Sequence, residues 1–317
     1  MKKTKTFIVL WAQLLLLTSC EKAVFDDPQP ADTGRTIHVE FCVTQFEEIP
    51  FSVFNSDTRS TVDVSQVCSR INLALFRDGT KVKTVNQLST DEGFGRVSLD
   101  LAEGDYQVVV IAHSGTGTAT ITSPEEIKFP DNKVTDTFYY YTQLTVEQDM
   151  KVDMLLKRAV AKFRLVTTDA IPQNVQQMKF YYTGGSSTFD AVTGFGCKDS
   201  RQTEYRSVTS EMVGKTGQFE VYTFPHADED KLKMTITALD ASGAELCQRV
   251  FEDLPVKLNQ ITQYTGAFFE EASASGAAVF TLMAEDNWTQ QDYTFRYCFP
   301  VNGCEAHVDG SGRCQEF

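Results

Sequence analysis

The chain has 317 residues, 42% of them hydrophobic, and a formal net charge of −14 from 43 acidic against 29 basic side chains. A surface this acidic repels phosphate backbones, which excludes nucleic acid as a partner. The length accommodates two domains of ordinary size, and after the first twenty residues no apolar run is long enough to cross a bilayer as a helix.

The first twenty residues, MKKTKTFIVLWAQLLLLTSC, join a basic head (Lys2, Lys3, Lys5) to a short apolar run from Phe7 to Leu17. That run falls short of the ~18 residues a membrane span needs, so it reads as a secretory signal. Leu17 at −3, Ser19 at −1 and Cys20 at +1 resemble the lipobox of bacterial lipoproteins. That resemblance implies cleavage between Ser19 and Cys20 and acylation of Cys20, with palmitate among its acyl groups. Each buried CH₂ contributes about 0.8 kcal/mol, so two or three acyl chains anchor a protein without a transmembrane helix. Residues 20–36, with Asp26, Asp27, Pro28, Pro30 and Gly34, then read as a tether.

Strands begin at Ile37, where Ile37, Val39, Phe41 and Val43 alternate with polar neighbours at the period of a half-buried strand. A polar loop around Asn55 to Gln66 precedes Ile71 to Phe76. Asp78-Gly79 then separates that run from Lys81 to Val85, a hairpin signal because both turn residues tolerate positive φ. Val97, Leu99 and Leu101 alternate before the turn Glu103-Gly104-Asp105. Tyr106 to Ile111 is apolar nearly throughout, as in a central strand covered on both faces. Phe138 to Tyr141, Leu144 to Val146 and Val152 to Leu156 complete a first set.

A second set starts with Ala159, Ala161, Phe163 and Leu165. Met178 to Tyr182 follows, then a loop region punctuated by Gly184-Gly185 and Gly194-Phe195-Gly196. Phe219 to Thr223 comes next, and Leu232 to Ala238 is the cleanest amphipathic strand in the chain. Asp240 to Gly243 turns it into Glu245 to Phe251, and Leu258 to Phe269, Val279 to Ala284 and Trp288 close the set. Only Ser123 to Glu126 and Pro172 to Met178 suggest helical turns. Many short strands separated by turn residues argue for an all-β chain of two tandem β-sandwiches, 37–157 and 158–295. Residues 296–317 form a Cys-rich tail without alternation, of open role.

Beyond Cys20 stand Cys42, Cys68, Cys197, Cys247, Cys298, Cys304 and Cys314, an odd set in an exported chain where disulfides are permitted. The expected pairs are Cys42 with Cys68 and Cys197 with Cys247, although spacing alone does not dictate connectivity. The scattered cysteines contain no CxxC, and the four histidines no HxxxH, so no metal site is expected. Asp228-Glu229-Asp230 has the character of a solvated turn rather than a Ca²⁺ loop. No GxSxG, HExxH or phosphate-binding loop is present. His113 and Ser114 are neighbours, and neighbours on a strand point to opposite faces. The chain is therefore read as a non-enzyme without cofactor.

Leu17 to Cys20, Leu75-Phe76-Arg77-Asp78-Gly79, Leu101-Ala102-Glu103-Gly104-Asp105-Tyr106, Leu156 to Phe163, and Tyr264-Thr265-Gly266 before Phe268-Phe269 occur in that order. Together they resemble the fimbrillin-A-associated anchor proteins of bacterial type V fimbriae, over roughly Cys20 to Phe295. The resemblance implies transthyretin-like sandwiches and a lipoprotein at the outer membrane, on the cell surface at the base of a fimbrium. It implies fimbrial stalk subunits as partners and a monomer before assembly. Such subunits join by donor-strand exchange, in which an extended segment completes a neighbour's open sheet. The chain is expected to anchor the fimbrium and end its polymerisation, with Ile37 to Val43 retained as a self-complementing strand. Two alternatives are an adhesive tip or accessory subunit of the same family, and a lipid-anchored glycan-binding module that uses Tyr139-Tyr140-Tyr141 or Trp288.

Overall fold

The computed structural model describes residues 35–46, 64–228 and 231–269, and the backbone of two further strands, Ala277–Ala284 and Gln291–Arg296. The chain first lays down β1 (Thr36–Phe46), β2 (Arg70–Arg77), β3 (Thr80–Leu88), β4 (Arg96–Ala102) and β5 (Gly104–His113). Two short strands, β6 (Thr120–Ser123) and β7 (Glu126–Lys128), precede β8 (Thr137–Val146) and β9 (Met150–Arg158). The later set is β10 (Ala161–Thr167), β11 (Gln177–Ser186), β12 (Thr188–Asp190), β13 (Phe195–Gly196), β14 (Asp199–Ser207) and β15 (Gln218–Thr223). It ends with β16 (Lys231–Leu239), β17 (Glu245–Pro255), β18 (Gln260–Gly266), β19 (Ala277–Ala284) and β20 (Gln291–Arg296). The all-β expectation holds.

Local chemistry explains the clearest of these elements. Asp78 and Gly79 both take positive φ, 50° and 73°, and close the β2–β3 hairpin as the Asp-Gly pair predicts. At the β16–β17 turn the Asp240 carboxylate accepts from the Ser242 and Ala244 N–H groups at 2.8 and 2.9 Å. An aspartate that satisfies two turn amides stabilises that reversal locally. β16 alternates between buried Leu232, Met234 and Ile236 and more exposed Lys231, Lys233 and Thr235.

One sheet of order β3-β2-β5-β8-β9-β1-β4 folds over on itself at β8 and β9, which share only two register pairs. Ile37, Val39 and Phe41 of β1, Leu73 of β2, Val108 of β5 and Met154 of β9 fill the space between its two flanks. A second core lies between β15-β10-β18 and β14-β11-β16-β17 and contains Phe163, Phe180, Tyr182, Met234 and Tyr264. The two sets repeat one pairing scheme. β1 lies antiparallel to β4 and parallel to β9, as β10 lies antiparallel to β15 and parallel to β18. Likewise β2 separates β3 from β5 as β11 separates β14 from β16.

A third core accounts for the continuous apolar character of β2 and β5. Their second faces, with Ala74, Phe76, Val109 and Ile111, meet Ile121, Ile127, Phe189 and Phe224. Those residues belong partly to a small sheet of order β13-β12-β7-β6, in which β7 from the first set pairs with β12 from the second.

Three details differ from expectation. The glycine-punctuated stretch after Tyr182 is not a loop: β11 continues through it and β12 and β13 follow. Gly184 has φ 91°, and a Cβ there would come within 2.5 Å of the Lys231 carbonyl, so a glycine lets β11 pass close to β16. Ser123 to Glu126 and Pro172 to Met178 contain turns and strand rather than helix. Instead Val64–Val67 forms a single helical turn inside the expected polar loop, where Val67 is buried and Val64 packs against the first core.

Candidate strand-complementation site

β1 is the first described strand, and it occupies the slot between β4 and β9. Thr36 through Cys42 pair antiparallel with Ala102 through Arg96. On the other flank Val39 through Val43 pair parallel with Met150 through Met154, and after a bulge Gln45 and Phe46 continue opposite Leu155 and Leu156. Both edges of the strand are thus satisfied by main-chain bonds, and Val43 N–H also donates to the Gly95 carbonyl at 2.8 Å.

The inner face of β1 is fully out of water: Ile37, Val39 and Phe41 are each 0% exposed. Burying an aliphatic or phenyl side chain of this kind contributes about 1.5–3 kcal/mol. The three side chains follow the period-2 pattern and fill one row of the first core. At the outer face the His38 N–H donates to Asp149 Oδ1 at 2.9 Å, and its ring Nδ1 lies 3.0 Å from Asp100 Oδ1. Burial and the neighbouring Glu40 push the Cys42 thiol upward from its ordinary pKa.

The structure holds Cys42, Cys68, Cys197 and Cys247 as free thiols, in place of the two pairs expected from the sequence. Alternation along β1 accounts for the first: it sets Cys42 with Glu40, off the row of Ile37, Val39 and Phe41 that fills the first core, whereas Cys68 belongs to that core. Cys197 follows β13 with its thiol on the Glu125 and Thr188 carbonyls, while Cys247 sits on β17 against the Phe268 carbonyl. Cys20 and Ser19 lie outside the described residues, as do Cys298, Cys304, Cys314, Trp288, Glu229, Asp230 and the 296–317 tail beyond Arg296.

Tyr139, Tyr140 and Tyr141 are half-buried and form no common platform. Tyr139 and Tyr141 pack on the third core, and Tyr140 packs on the first. Tyr139 meets Phe189 edge-on at 4.9 Å, and the Tyr141 hydroxyl accepts from Gln107 Nε2 at 3.1 Å. His113 is also a core residue. Its Nε2 lies 3.1 Å from Asn72 Oδ1, its Nδ1 accepts from Gly115 N–H at 3.0 Å, and burial lowers its pKa from 6.5 to about 4. Among the described residues no group of three or more His, Cys, Asp or Glu is placed to hold a metal ion, and no helix is long and apolar enough to cross a membrane. Sequence reading missed the polar outer face of β10, where Lys162 and Arg164 are largely buried, because alternation marks those positions simply as outward.

A family model described as a family of unknown function (DUF6562) matches residues 32–296. No curated protein matches the chain. Among solved structures, the chain is similar to a candidate polysaccharide-binding protein (DUF1812) from Bacteroides thetaiotaomicron, at 11% identity and a TM-score of 0.50 over 82% of this chain and 98% of that one. It is also similar to a candidate adhesin from the same species, at 12% identity and TM-score 0.46 over 81% and 98% of the two chains. A third is the fimbrial anchor protein Mfa2 from Porphyromonas gingivalis, at 11% identity and TM-score 0.40 over 73% and 91%. At these identities the first of the three shows a shared fold.

Proposed function

The chain belongs to that family of unknown function, DUF6562, and from this premise we propose that it is a lipoprotein of the outer membrane that anchors a type V fimbrium and ends its polymerisation. The observation that carries this reading is β1 itself: the slot between β4 and β9 is filled by the first described strand of the same chain, with three side chains wholly buried. A subunit whose slot is open recruits a neighbour's strand by main-chain pairing, whereas a subunit that fills its own slot offers no such edge. The lipobox ending at Cys20 supplies the membrane attachment in this reading, and residues 20–36 the tether. Its fimbrial partners are the stalk subunits, and it is monomeric before they assemble. Two transthyretin-like domains, 37–157 and 158–295, belong to the same proposal, and the repeated pairing scheme of the two strand sets supports them.

A Cys20→Ala chain in its native bacterium tests the reading. The expected outcome is an exported protein and fimbriae released into the medium, seen by electron microscopy of the supernatant. Fibres that stay firmly on the cells would overturn the anchor role. Fibres that stay attached but no longer bind their surface would indicate the adhesive tip alternative.

A further inference from the structure

The sheet of order β14-β11-β16-β17 turns one face into the second core, with Phe180, Tyr182, Met234, Ile236 and Phe251. Strand alternation sends the residues between these to the other face, and register sets them in rows. Thr203, Tyr181, Thr235 and Val250 stand opposite one another across the four strands. In the next row Tyr205 stands opposite Lys179, followed by Thr237 and Gln248. Tyr181 and Tyr205 are therefore diagonal neighbours on adjacent strands, a separation of about 7–8 Å that aromatic side chains bridge.

Two features set this face apart. Tyr205 and Val250 are the two most exposed large hydrophobic side chains among the described residues, at 48% and 47%, and Tyr181 is 37% exposed. Single exposed apolar residues are ordinary on a surface, whereas three grouped on one sheet face mark a contact surface. The second feature is charge. Neither row holds a carboxylate, in a chain with 43 acidic residues, and Lys179 is the one cation in them. The next outward carboxylate along β17, Glu252, is held by Lys233 Nζ at 2.6 Å.

These features select the ligand. A tyrosine offers a flat apolar ring with a hydroxyl at its tip. Thr203 and Thr235 flank Tyr181 with further hydroxyls, and Gln248, whose Nε2 donates to Thr237 Oγ1 at 3.1 Å, keeps its amide oxygen as an acceptor. The C–H face of a pyranose stacks on such a ring while its hydroxyls reach the polar groups alongside. A polyanionic glycan would meet one cation in these rows and a formal net charge of −14 over the chain. A folded protein partner needs a desolvated apolar centre, and the middle of this face is Lys179, Thr235 and Thr237.

We propose that this face binds a neutral polysaccharide, with hexose or pentose units stacked on Tyr181 and Tyr205 and their hydroxyls bonded to Thr203, Thr235 and Gln248. The site is distinct from Tyr139, Tyr140 and Tyr141, which pack on the first and third cores. It is independent of the anchoring role, and neither depends on the other's outcome.

The test is isothermal titration calorimetry of the full-length chain in detergent with short oligosaccharides of glucose, mannose and xylose, and with an oligogalacturonate of equal length. Binding is expected for at least one neutral oligosaccharide, with an affinity that salt leaves unchanged. Tyr181→Ala and Tyr205→Ala should each weaken it about tenfold, the loss of one stacked ring. Tyr205→Phe keeps the ring and should bind within about threefold of the unaltered chain. Both tyrosines lie outside the cores, so the variants should keep the fold, which circular dichroism verifies. No neutral binding at millimolar sugar, binding of the oligogalacturonate alone, or unchanged affinity in the double alanine variant would each overturn the proposal. So would a dimer in sedimentation velocity that the two alanine substitutions dissolve, since the face would then be a contact between copies.

Discussion

Phe189 of β12 stands directly opposite Ile127 of β7, and neither exposes any surface to water. The pair sits where the first strand set meets the second. The Phe189 ring also meets Tyr139 from β8 at 4.9 Å and Phe224 at 5.0 Å. A core so shared makes the two sets unfold together. Phe189→Ala should cost about 3–5 kcal/mol, as large-to-small changes at buried aromatics do, and should separate urea unfolding into two steps. Circular dichroism and tyrosine fluorescence read both. Two well-separated transitions already present in the native chain would disprove the coupling.

The buried face of β1 leads to a second expectation. Phe41→Ala should destabilise the chain by about 3–5 kcal/mol. A chain that lacks Thr36–Phe46 leaves the facing edges of β4 and β9 unpaired, and it should recruit a synthetic peptide of that sequence. The same peptide with Phe41→Asp should not be taken up, because a carboxylate would enter the apolar row. A truncated chain that stays monomeric, keeps its stability and ignores the peptide would remove β1 from the argument for self-complementation.

His113 sets an acid limit on stability. The folded chain holds the ring neutral, with a pKa lowered from 6.5 to about 4 by burial and secondarily by Arg70. The unfolded chain therefore takes up a proton first as pH falls. Stability fully present above pH 6.5 is lost as the pH descends through about 4, and at ~1.4 kcal/mol per pH unit the loss approaches about 3 kcal/mol. Urea midpoints at pH 7.5, 5.5 and 4.5 measure it. In His113→Gln the decline between pH 6.5 and 4.5 should be shallower. An unaltered slope would assign the acid sensitivity to other groups.

Thiol labelling separates the four described cysteines. Cys197 is exposed, whereas Cys68 is buried and its pKa is pushed up to about 12 by loss of water. Thiolates are the reactive form, so an alkylating reagent at pH 8 should modify Cys197 first and Cys68 only on unfolding. Peptide mass mapping of the unreduced chain reads the order directly. Finding Cys197 joined to Cys247 would contradict the arrangement of free thiols.

What the sequence made legible was local. The β2–β3 reversal follows from Asp78-Gly79, the faces of β16 from strict alternation, and the double burial of β5 from its unbroken apolar run. Longer relationships left no such mark. Nothing in Ile37 to Val43 names Met150 to Met154 as a parallel partner more than a hundred residues away. The three-residue strands β7 and β12 are too short for periodicity to register, and their glycine-rich surroundings imitate a loop. Lys162 and Arg164 look solvated because alternation distinguishes inward from outward, and an outward face covered by neighbouring side chains looks the same as an open one. The cysteine pairing failed for a related reason: spacing along the chain carries no information about which face of a strand a thiol occupies.

The placement of β1 has a mechanical consequence. A pull on the chain from before Thr36, directed along the strand, loads the ladders to β4 and β9 in shear. Bonds loaded in shear share the force and fail together, whereas a strand peeled from one edge loses them one after another. The bulge between Val43 and Gln45 interrupts sliding along β9, and the Phe41 ring blocks withdrawal through the packed core. A protein gripped in this way resists sudden tension far better than its equilibrium stability alone would suggest.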